Sequence, residues 1–595
     1  MLSRSSRAAI LSLLLSLLQA APLHAQEARP YEDHQIIRVE VKNQAQLDAL
    51  EGAGATILNC TPGIGPLDVL VSPDQHEAVL RITRTSRVLQ DDVQGMVDRE
   101  RDPLATAGAD PFDDFFLSYH PYDGVGGIVW YMNEIVTRYP TLASMVNIGT
   151  TVEGRTIWGI RITSGASAVK PGAVFFGCEH AREWVACTVP AYLAHHLVVN
   201  YGVDPDITDL VNNVEFFLIP VFNVDGYVYT WTTSRFWRKN RRNNGGGSFG
   251  VDLNRNWGVG WGGVGAGASP SDETYRGPSA FSEPETQALR DFFIAHPNVR
   301  VQLDVHSYLQ LVMWPFGHTS TLCPDHTLYN EIGSTMQSLI YGVHGKNYNI
   351  GPLYTAIYPA SGISIDWTYI QRGIVSYTYE ARDTGFYGFA LPQNQIIPNN
   401  EELLPATLFL TNSDWVRSPL RFEFPDGVPD IVTAGLDTTI DLRIISQTES
   451  VEPGTASLHY RYDPAGPFSV APLTPLGGQN YQAVLPATNC SSMPEFYFSV
   501  QGNLGTPMSN PRQSPAPQYY SALVESWTHT TPCTGLPGDY DGNERLDQID
   551  FNQFQSCIAG PESSIGPGCA VFDFNGDGDV DLLDIGEFQI AFTGP

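Results

Sequence analysis

Several short apolar segments of this chain end on polar residues that can bind metal or carry protons, and this pattern limits the folds the chain can adopt. The segments, each with the polar residues that follow it, are 173–176 with His180 and Glu183, 214–220 with Asn223 and Asp225, 301–305 with His306, and 375–379 with Glu380. Short apolar runs of this kind are typical of buried strands. Because sites in open α/β sheets form beyond the carboxyl ends of the strands, we expect these polar side chains to meet at one edge of a sheet.

His180, Glu183 and His306 form a candidate metal site. His180 and Glu183 are three positions apart, so one helical turn or a tight loop can direct both at one point. Two imidazoles and one carboxylate suit a catalytic zinc, whose fourth position stays open for water. His-x-x-Glu alone is also found in ordinary surface turns, so the prediction of one zinc ion depends on the third ligand. Glu380 is expected to be a nearby carboxylate that does not bind the metal.

A series of sequence blocks between residues 115 and 418 resembles the zinc metallocarboxypeptidases of the carboxypeptidase A type. The blocks are His180-Ala-Arg-Glu183-Trp184, Phe236-Trp-Arg238-Lys-Asn-Arg241, Gly250-Val-Asp-Leu-Asn254-Arg255-Asn256-Trp257, Glu273-Thr-Tyr-Arg-Gly277, His306-Ser-Tyr308, Ile357-Tyr358-Pro-Ala-Ser-Gly362, Ile365-Asp366-Trp367 and Tyr379-Glu380-Ala-Arg-Asp383-Thr-Gly385. This family is the type example of a zinc site with two histidines and one glutamate. The resemblance therefore implies the same ligand set here, and an enzyme that hydrolyses the C-terminal bond of peptides and proteins.

The resemblance also implies roles for the residues around the metal. Glu380 corresponds to the general base, and Arg238 to the group that stabilises the oxyanion. The substrate-binding residues that it implies are Asn254 and Arg255 for the terminal carboxylate, Tyr358 as a mobile side chain over the last residue, and Arg182, Ser307 and Tyr308 on the amine side. Arginine suits bidentate binding of a carboxylate. Without the resemblance, Glu380 would be interpreted as a carboxylate paired with Arg382.

One pocket position sorts substrates by charge in this family, and here it is Ile365, which is followed by Asp366. An isoleucine offers apolar surface and no partner for a basic side chain, whose unpaired charge is costly to bury. We therefore predict a preference for aliphatic or aromatic C-terminal residues. Ile363 stands where the digestive relatives have glycine, and its bulk is expected to favour Leu, Ile or Phe over Trp. Gly317 keeps room at the pocket entrance.

The whole chain has 595 residues, of which 42% are hydrophobic, and a formal net charge of −31. A chain of this length is expected to contain several domains. The negative charge argues against nucleic acids and anionic membranes as partners. Residues 1–25 have a basic start, a short apolar core and a small residue suited to cleavage, which predicts a signal peptide and a secreted protein. No other segment is long and apolar enough to span a membrane.

Residues 26–112 are expected to form a small α/β unit and a linker. Strands are predicted from Gln35 and from Asp68, and helices over 44–52 and 73–83. A unit in this place resembles the activation propeptide of the family, which covers the active site. Arg99, Glu100 and Arg101 then form a basic segment in what is predicted to be an exposed linker, where proteases cut. The alternative is a plain N-terminal domain that stays attached.

Residues 113–418 are expected to be the catalytic domain, with a mixed or parallel sheet covered on both faces by helices. Helices are predicted over 188–201, 330–341 and 401–415, and a capping box at 282–285 is expected to open another that runs to His296. Asp252 or Asp304 is expected to hold a ligand imidazole. Trp257 and Trp367 are interpreted as core residues. Residues 419–530 alternate with period two in several segments, which predicts a β-sandwich.

Residues 531–595 are strongly acidic and contain two similar segments. Each places oxygen-bearing side chains at positions 1, 3, 5, 9 and 12 of a calcium loop, namely Asp539, Asp541, Asn543, Asp547 and Asp550, then Asp573, Asn575, Asp577, Asp581 and Asp584. Aspartate at position 12 resembles dockerin modules. The first loop has Glu544 where the second keeps Gly578, so one or two calcium ions are expected and the second site is the stronger prediction. A cohesin-type surface partner and a self-contained calcium-stabilised cap both remain open.

The chain has eight cysteines. Those of an exported chain can form disulfides, but the sequence does not determine their pairing. The candidates are Cys490 and Cys533 near the β-region, and Cys557 and Cys569 in the acidic tail. Cys178 is interpreted as a small core residue rather than a metal ligand. Some relatives have a disulfide where this chain has Ser248 and Ser271, so that bridge is absent.

Two other functions compete with a secreted carboxypeptidase. One is a catalytically silent relative that only binds peptides, which the intact set of His180, Glu183, His306 and Glu380 argues against. The other is a cell-wall peptide amidase on the same fold, against which Asn254, Arg255 and Tyr358 favour ordinary peptide C-termini.

Overall fold

The computed structural model describes residues 29–59, 63–102, 110–165, 170–429, 431–433, 435–446, 449–488, 492–510, 519–525, 548–558, 569, 572–573, 580 and 584–585. The predicted signal peptide, Cys490, Cys533 and most of the predicted calcium ligands lie outside these residues. The chain divides near Asn412 into two compact units, and the first contains both the N-terminal region and the candidate catalytic region. Within the described residues we find no helix with the length and apolar character needed to cross a membrane.

The N-terminal region is a sheet with two helices packed on one face. Its elements are β1 (Gln35–Val41), α1 (Gln44–Gly52), β2 (Thr56–Ile57), β3 (Gly65–Val71), α2 (Pro73–Thr83), β4 (Ser86–Gln90) and α3 (Val93–Arg101). The strands lie in the order β2-β3-β1-β4, and the paired strands are antiparallel. Alternate residues of β1, such as Ile37 and Val39, share a core with Leu50 of α1 and Val79 of α2. Ser72 and Gln75 form the capping box that begins α2.

The basic segment Arg99–Arg101 does not lie in an exposed linker, which corrects the expectation from the sequence. It forms the last turn of α3, and Glu100 within it is buried. Both oxygens of the Glu100 carboxylate accept hydrogen bonds from Arg235 of the catalytic region, at 2.8 and 2.9 Å. A buried carboxylate needs such a partner, and local sequence patterns do not show one so far away along the chain.

The catalytic region is built on a mixed sheet of eight strands. Its strands, together with a short separate hairpin of β9 and β10, are β5 (Ala143–Thr150), β6 (Thr156–Ile162), β7 (Gly172–Gly177), β8 (Glu215–Ile219), β9 (Asn243–Gly245), β10 (Ser248–Phe249), β11 (Val299–His306), β12 (Leu311–Trp314), β13 (Asn349–Pro352) and β14 (Val375–Glu380). The order is β13-β12-β14-β11-β7-β8-β6-β5, with β14, β11, β7 and β8 parallel. All residues of β7 and β14 are buried, as expected of strands covered on both faces.

The helices of this region include three that begin earlier than the sequence pattern predicted. The helices are α4 (Ile128–Arg138), α5 (Trp184–Asn200), α6 (Pro205–Asn213), α7 (Val224–Thr232), α8 (Pro284–Ala295), α9 (His326–His344), α10 (Leu353–Ala356), α11 (Ser364–Arg372) and α12 (Ile396–Asn412). The predicted capping box at 282–285 is wrong. Glu283 is the N-cap of α8 without a side-chain cap bond, because its carboxylate accepts hydrogen bonds from Asn240 and Arg242 instead.

The ends of three neighbouring strands bring the candidate site together. His306 ends β11 directly beside Glu380, which ends β14. Gly177 ends β7 on the other side of β11, and the loop that follows carries His180 and Glu183. A Cβ atom on Gly177 would lie 2.3 Å from the carbonyl oxygen of Ala186. Glycine at this position therefore lets α5 begin close to the strand end.

The second unit contains β-structure and a C-terminal helix. Its elements are α13 (Asp414–Arg417), β15 (Leu420–Glu423), β16 (Ile431–Thr433), β17 (Thr438–Ser446), β18 (Ser457–Arg461), β19 (Ser469–Pro472), β20 (Thr474–Gly477), β21 (Asn480–Leu485), β22 (Glu495–Gln501), β23 (Pro507–Asn510), β24 (Tyr520–Ser521), β25 (Leu523–Glu525) and α14 (Gln548–Cys557). Residues such as Ile440 of β17 and Phe498 of β22 lie in one shared core. Near the C-terminus, Cys557 forms a disulfide with Cys569, a pairing that the sequence left open.

Candidate metal centre

The predicted metal ligands come together, and all three are buried. Nδ1 of His180 lies 2.9 Å from one carboxylate oxygen of Glu183, and Nδ1 of His306 lies 3.0 Å from the other. The two Nδ1 atoms are 3.0 Å apart. A loop between β7 and α5 presents two of these side chains, and the end of β11 presents the third. The three predicted ligands thus form one group that could hold a metal ion.

The surroundings of the two imidazoles show that this cluster fits a cation. Nε2 of His180 lies 3.2 Å from Asp252, and Nε2 of His306 lies 3.0 Å from Asp304. Both Nδ1 atoms face the Glu183 carboxylate and lie 3.0 Å from each other, so one cation placed among them would contact all three side chains. The donor set, two imidazoles and one carboxylate, is that of a catalytic zinc.

The protonation states of the ligands also suit metal binding. Burial, followed by the positive charge of Arg238, lowers the pKa of His180. Burial alone would raise the pKa of Glu183, but the two neighbouring imidazoles outweigh it and lower that pKa. At neutral pH the site therefore offers a neutral His180 and an ionised Glu183, which are the forms that bind metal. At His306 the charges of Asp304 and Glu183 outweigh burial and raise the pKa well above its ordinary value, so metal binding there displaces a proton.

Asp252 connects the metal centre to Arg238. Its second oxygen accepts hydrogen bonds from Nη2 and Nε of Arg238 at 2.8 and 3.2 Å, while its first oxygen faces His180. Burial would raise the pKa of Asp252, but Arg238 and His180 hold it well below its usual value. One carboxylate therefore orients both an imidazole ligand and the predicted oxyanion-stabilising group. The sequence left open whether Asp252 or Asp304 holds an imidazole. In the structure Asp252 is hydrogen-bonded to His180, and Asp304 lies 3.0 Å from Nε2 of His306.

Glu380 lies outside the metal-binding cluster but beside it. It is buried at the end of β14 and lines the same small cavity as His180 and His306. Arg382, its alternative partner, donates instead to Glu402, with Nε at 2.9 Å from Oε1. The position of Glu380 therefore suits a carboxylate that acts next to the metal without binding it.

Asn254 and Arg255 lie in a short 3-10 helix, Leu253–Arg255, at the same cavity. Oδ1 of Asn254 accepts a hydrogen bond from the Ser364 N–H at 3.1 Å, which fixes the amide. Arg255 donates through Nε to Gly265 and through Nη1 to the Asn254 carbonyl. Within the described residues its buried Nη2 has no hydrogen-bond partner. Tyr358 lines the cavity too, with its ring centre 5.8 Å from the Arg255 guanidinium carbon. A buried arginine with an unused donor is suited to an incoming carboxylate.

The predicted amine-side residues lie in two different environments. The backbone N–H of Ser307 donates to Glu183 at 3.2 Å, so this residue supports a metal ligand. The Arg182 guanidinium stacks on the ring of Phe389 at 4.1 Å, and Tyr308 packs against the same ring. Tyr308 and Phe389 also contact the N-terminal region through a shared apolar cluster. The structure thus places Arg182 and Tyr308, but not Ser307, at the boundary with that region.

Sequence reasoning missed two residues of this site. Arg235 donates to the carbonyls of Arg182 and Phe389, each at 2.8 Å, in addition to its pair with Glu100. Glu179 is fully buried and accepts a hydrogen bond from Trp257 at 3.1 Å, so Trp257 has more than a packing role. Burial and the charge of Asp304 raise the pKa of Glu179 well above its ordinary value. A signal was available, since Glu179 directly precedes a metal ligand at the end of an apolar run.

A large cavity lies away from the metal. It has a volume of about 650 Å³ and is bounded by residues of the N-terminal region, such as Ile36 and Met96, and of the catalytic region, such as Phe236 and Phe389. None of the three metal ligands lines it. Its size therefore reflects the fit between the two regions, and the chemistry belongs to the smaller cavity beside His180 and Glu380.

Comparison with known proteins gives a consistent result. Residues 128–406 match the family model described as zinc carboxypeptidase. Mouse carboxypeptidase A1 is 34% identical over 408 residues, which is 67% of this chain and 96% of that protein. Human carboxypeptidase B is 39% identical over 298 residues, which is 50% of this chain and 71% of that protein. The crystal structure of carboxypeptidase A from Helicoverpa armigera matches with a TM-score of 0.56 at 28% identity, over 64% of this chain and 97% of that one.

The match to mouse carboxypeptidase A1 spans nearly the whole of that relative, and the residues of the buried two-histidine, one-glutamate cluster fall inside the matched family region. This chain therefore belongs to the zinc carboxypeptidase family and is a metallocarboxypeptidase.

Proposed function

We propose that this metallocarboxypeptidase acts outside the cell and releases single residues from the C-termini of peptides and proteins. The observation that carries the proposal is the position of Arg255. Its guanidinium is buried in the cavity that holds His180, His306 and Glu380, and its Nη2 is unused among the described residues. A terminal carboxylate bound there puts the last peptide bond next to the metal ligands, which defines an exopeptidase.

The residues around the metal divide the chemical work. Zinc, when bound by His180, Glu183 and His306, supplies Lewis acidity and lowers the pKa of water to about 7. Glu380 takes the proton of the attacking water and passes it to the leaving amine. Arg238, held in place by Asp252, stabilises the negative charge that develops on the carbonyl oxygen. Arg255 and Asn254 hold the terminal carboxylate, and Tyr358 closes over it.

A pair of matched peptides tests this function. The zinc-loaded protein is incubated with a dansylated peptide and with the same peptide carrying a C-terminal amide, and products are read by mass spectrometry. We expect stepwise loss of single C-terminal residues from the free acid only. Internal cuts, or cleavage of muropeptides alone, would instead support a cell-wall peptide amidase, and no product at all would support a peptide-binding relative.

The N-terminal region is proposed to be an inhibitory propeptide. Two contacts support this proposal: Glu100 pairs with Arg235, and Arg38 donates to the carbonyl of Gly385 at 3.1 Å. These contacts join the N-terminal region to residues that flank the predicted amine-side subsites. Because Arg99 and Arg101 lie on a helix, cleavage is expected either after local unfolding of α3 or in residues 103–109 beyond it. Trimming there should raise activity. Equal activity before and after trimming would make this region a passive domain.

Secretion and calcium binding are further parts of the proposal. The features of residues 1–25 and the Cys557–Cys569 disulfide support export to an oxidising compartment. Asp550 and Asp584, the twelfth positions of the two predicted calcium loops, are both buried. Calorimetry should show calcium binding that Asp577→Ala weakens more than Asp541→Ala. An absence of binding heat would contradict it. Attachment to a cohesin-type partner at the cell surface rests on the dockerin resemblance alone.

A further inference from the structure

The space behind Arg255 and Tyr358, where the side chain of the C-terminal residue would enter, is filled by the protein itself. The buried side chains that fill it form one apolar cluster, Leu311, Met313, Leu353, Ala360, Ile363 and Ile365. Ile363 and Ile365 are each only 1% exposed. An open pocket for a large apolar residue would expose its walls, so this cluster has the character of a packed core.

Ile363 closes this pocket by reaching its opposite wall. A Cβ atom at Gly317 would lie 2.5 Å from Cδ1 of Ile363, so only the hydrogen of a glycine fits there. Ile363 lines the cavity that contains the metal ligands, whereas Ile365 does not. Ile365, the position that sorts substrates by charge in this family, is therefore covered, and Ile363 sets the depth of the pocket instead.

The remaining space is too small for a large side chain. The cavity beside Ile363 has a volume of about 20 Å³. A water molecule needs roughly 10–15 Å³ on the same kind of measure, so this space holds about one water. An aromatic side chain, which buries about 150–250 Å² of surface, has no room there.

Hydrogen bonds hold both walls of the closed pocket in place. The Asp366 carboxylate accepts from the Gly317 N–H at 3.0 Å and lies 2.6 Å from Nδ1 of His318. On the other side, Ser364 follows Ile363 directly and donates from its hydroxyl to Asp304 at 2.8 Å. Moving either wall to admit a large side chain would break these buried hydrogen bonds. The closure is therefore part of the folded structure.

We propose that Ile363 is the specificity-determining residue of this enzyme and restricts it to short apolar C-terminal residues, alanine above all. This inference rests on the proposed function and narrows it, because the apolar preference inferred from Ile365 would otherwise include phenylalanine and leucine. Because Asp366 is already hydrogen-bonded to Gly317 and His318, we do not expect it to pair with a basic side chain of a substrate.

The test is a series of blocked peptides that differ only in the last residue, which is Ala, Val, Leu, Phe or Trp. With zinc-loaded, trimmed protein we expect kcat/KM for Ala and Val to exceed that for Phe and Trp at least tenfold. Ile363→Ala should raise the Phe-to-Ala ratio of kcat/KM at least tenfold. Ile340→Ala, an equal truncation of a buried isoleucine outside the pocket, is the matched control and should leave the ratio unchanged.

The possible results separate the inference from the function it rests on. If wild-type protein releases no residue from any peptide, the proposed function is overturned. If wild-type protein releases residues but prefers Phe over Ala, the function stands and the role of Ile363 is overturned. The wild-type ranking needs no variant, so the inference stays testable even if Ile363→Ala does not fold.

Discussion

The metal end and the pocket end of this site are built on opposite principles. At the metal end, buried carboxylates lie beside His180 and His306, and the ligand atoms of these two residues and of Glu183 lie within hydrogen-bonding distance of one another. At the pocket end, apolar side chains such as Leu353 and Ile363 pack until almost no space is left. The comparison teaches that directional polar contacts fix where the chemistry occurs, whereas the volume left by packing decides which substrate reaches it.

The two ends also gain stability differently. Buried charges are costly unless each has a partner, so the cluster of carboxylates and imidazoles depends on its mutual contacts and on a bound cation. The pocket end is stabilised by burial of apolar surface, at roughly 25 cal/mol per Å². Removing one polar partner should therefore affect metal binding and turnover, and removing an apolar side chain should affect substrate choice.

The largest effect is expected for His180→Ala. This change removes one of three protein ligands, and its partners Glu183 and His306 cannot replace it. We expect loss of bound zinc, measured by elemental analysis of the dialysed protein, together with loss of detectable hydrolysis. The control is His76→Ala, which changes an imidazole in the N-terminal region. Retention of one zinc per chain in His180→Ala would show that the cluster is not the metal centre.

Asp304→Asn should have the next largest effect, because it removes the negative charge that lies 3.0 Å from Nε2 of His306. Loss of such a partner typically weakens metal binding about 10- to 100-fold. The measurement is a competition titration of zinc against a chelator. Asp291→Asn, an exposed carboxylate on α8, should leave the zinc affinity unchanged. If Asp304→Asn bound zinc as tightly as the wild type, the three ligands alone would determine the zinc affinity and Asp304 would have no part in it.

The metal end could be predicted from the sequence because its residues sit in short, recognisable blocks at strand ends. His180, Glu183, His306 and Glu380 each follow an apolar run. The sheet and most helices were predictable for the same reason, since strand periodicity and length are local properties. The capping of α8 was not predictable, because Glu283 is bonded to distant Asn240 and Arg242 rather than to its own helix.

The pocket end could be predicted only in part. The sequence identified Ile363 as larger than the glycine of relatives, but not that its side chain reaches Gly317, because this depends on the distance between α11 and the loop after β12. In the same way, Arg99–Arg101 has the composition of an exposed linker, and only the pairing of Glu100 with Arg235 shows that it is anchored. Contacts between segments far apart in the chain have no local signature.

An aspartate introduced at position 365 tests whether the pocket end is closed by Ile363. Relatives that prefer basic C-termini carry an acid at the position of Ile365, but here Ile363 covers that residue. We therefore expect Ile365→Asp alone to leave the low activity on C-terminal Arg within about threefold of wild type, since the new carboxylate cannot reach the substrate. The double variant Ile363→Gly with Ile365→Asp should raise it about tenfold or more, which corresponds to about 1.4 kcal/mol. A strong gain from Ile365→Asp alone would show that the pocket is open.

The smallest effect on turnover is expected for Glu285, which lies at neither end. Burial, with the charges of Glu283 and Asp225, raises the pKa of Glu285 to about 7. Because this value is above that of an unfolded glutamate, the stabilising contribution is complete below about pH 4.5 and is lost as the pH rises through 7. Glu285→Gln should reduce this fall in the free energy of unfolding by about 3 kcal/mol at most. Thermal unfolding from pH 4.5 to 8 measures it. If the stability of both proteins fell in parallel with pH, the pKa assigned to Glu285 would be contradicted. Zinc content and substrate choice should be the same in the variant and the wild type.

The most direct test of the account is the separation of metal binding from turnover in Glu380→Gln. Glu380 is predicted to move protons beside the metal without binding it, so this variant should keep one zinc per chain while its kcat falls by about 10² to 10⁴. Glu331→Gln, an exposed glutamate on α9, should retain both zinc and turnover. Elemental analysis and peptide hydrolysis on the same preparation give the answer. A Glu380→Gln variant with zinc bound and turnover within tenfold of wild type would contradict the proposed mechanism.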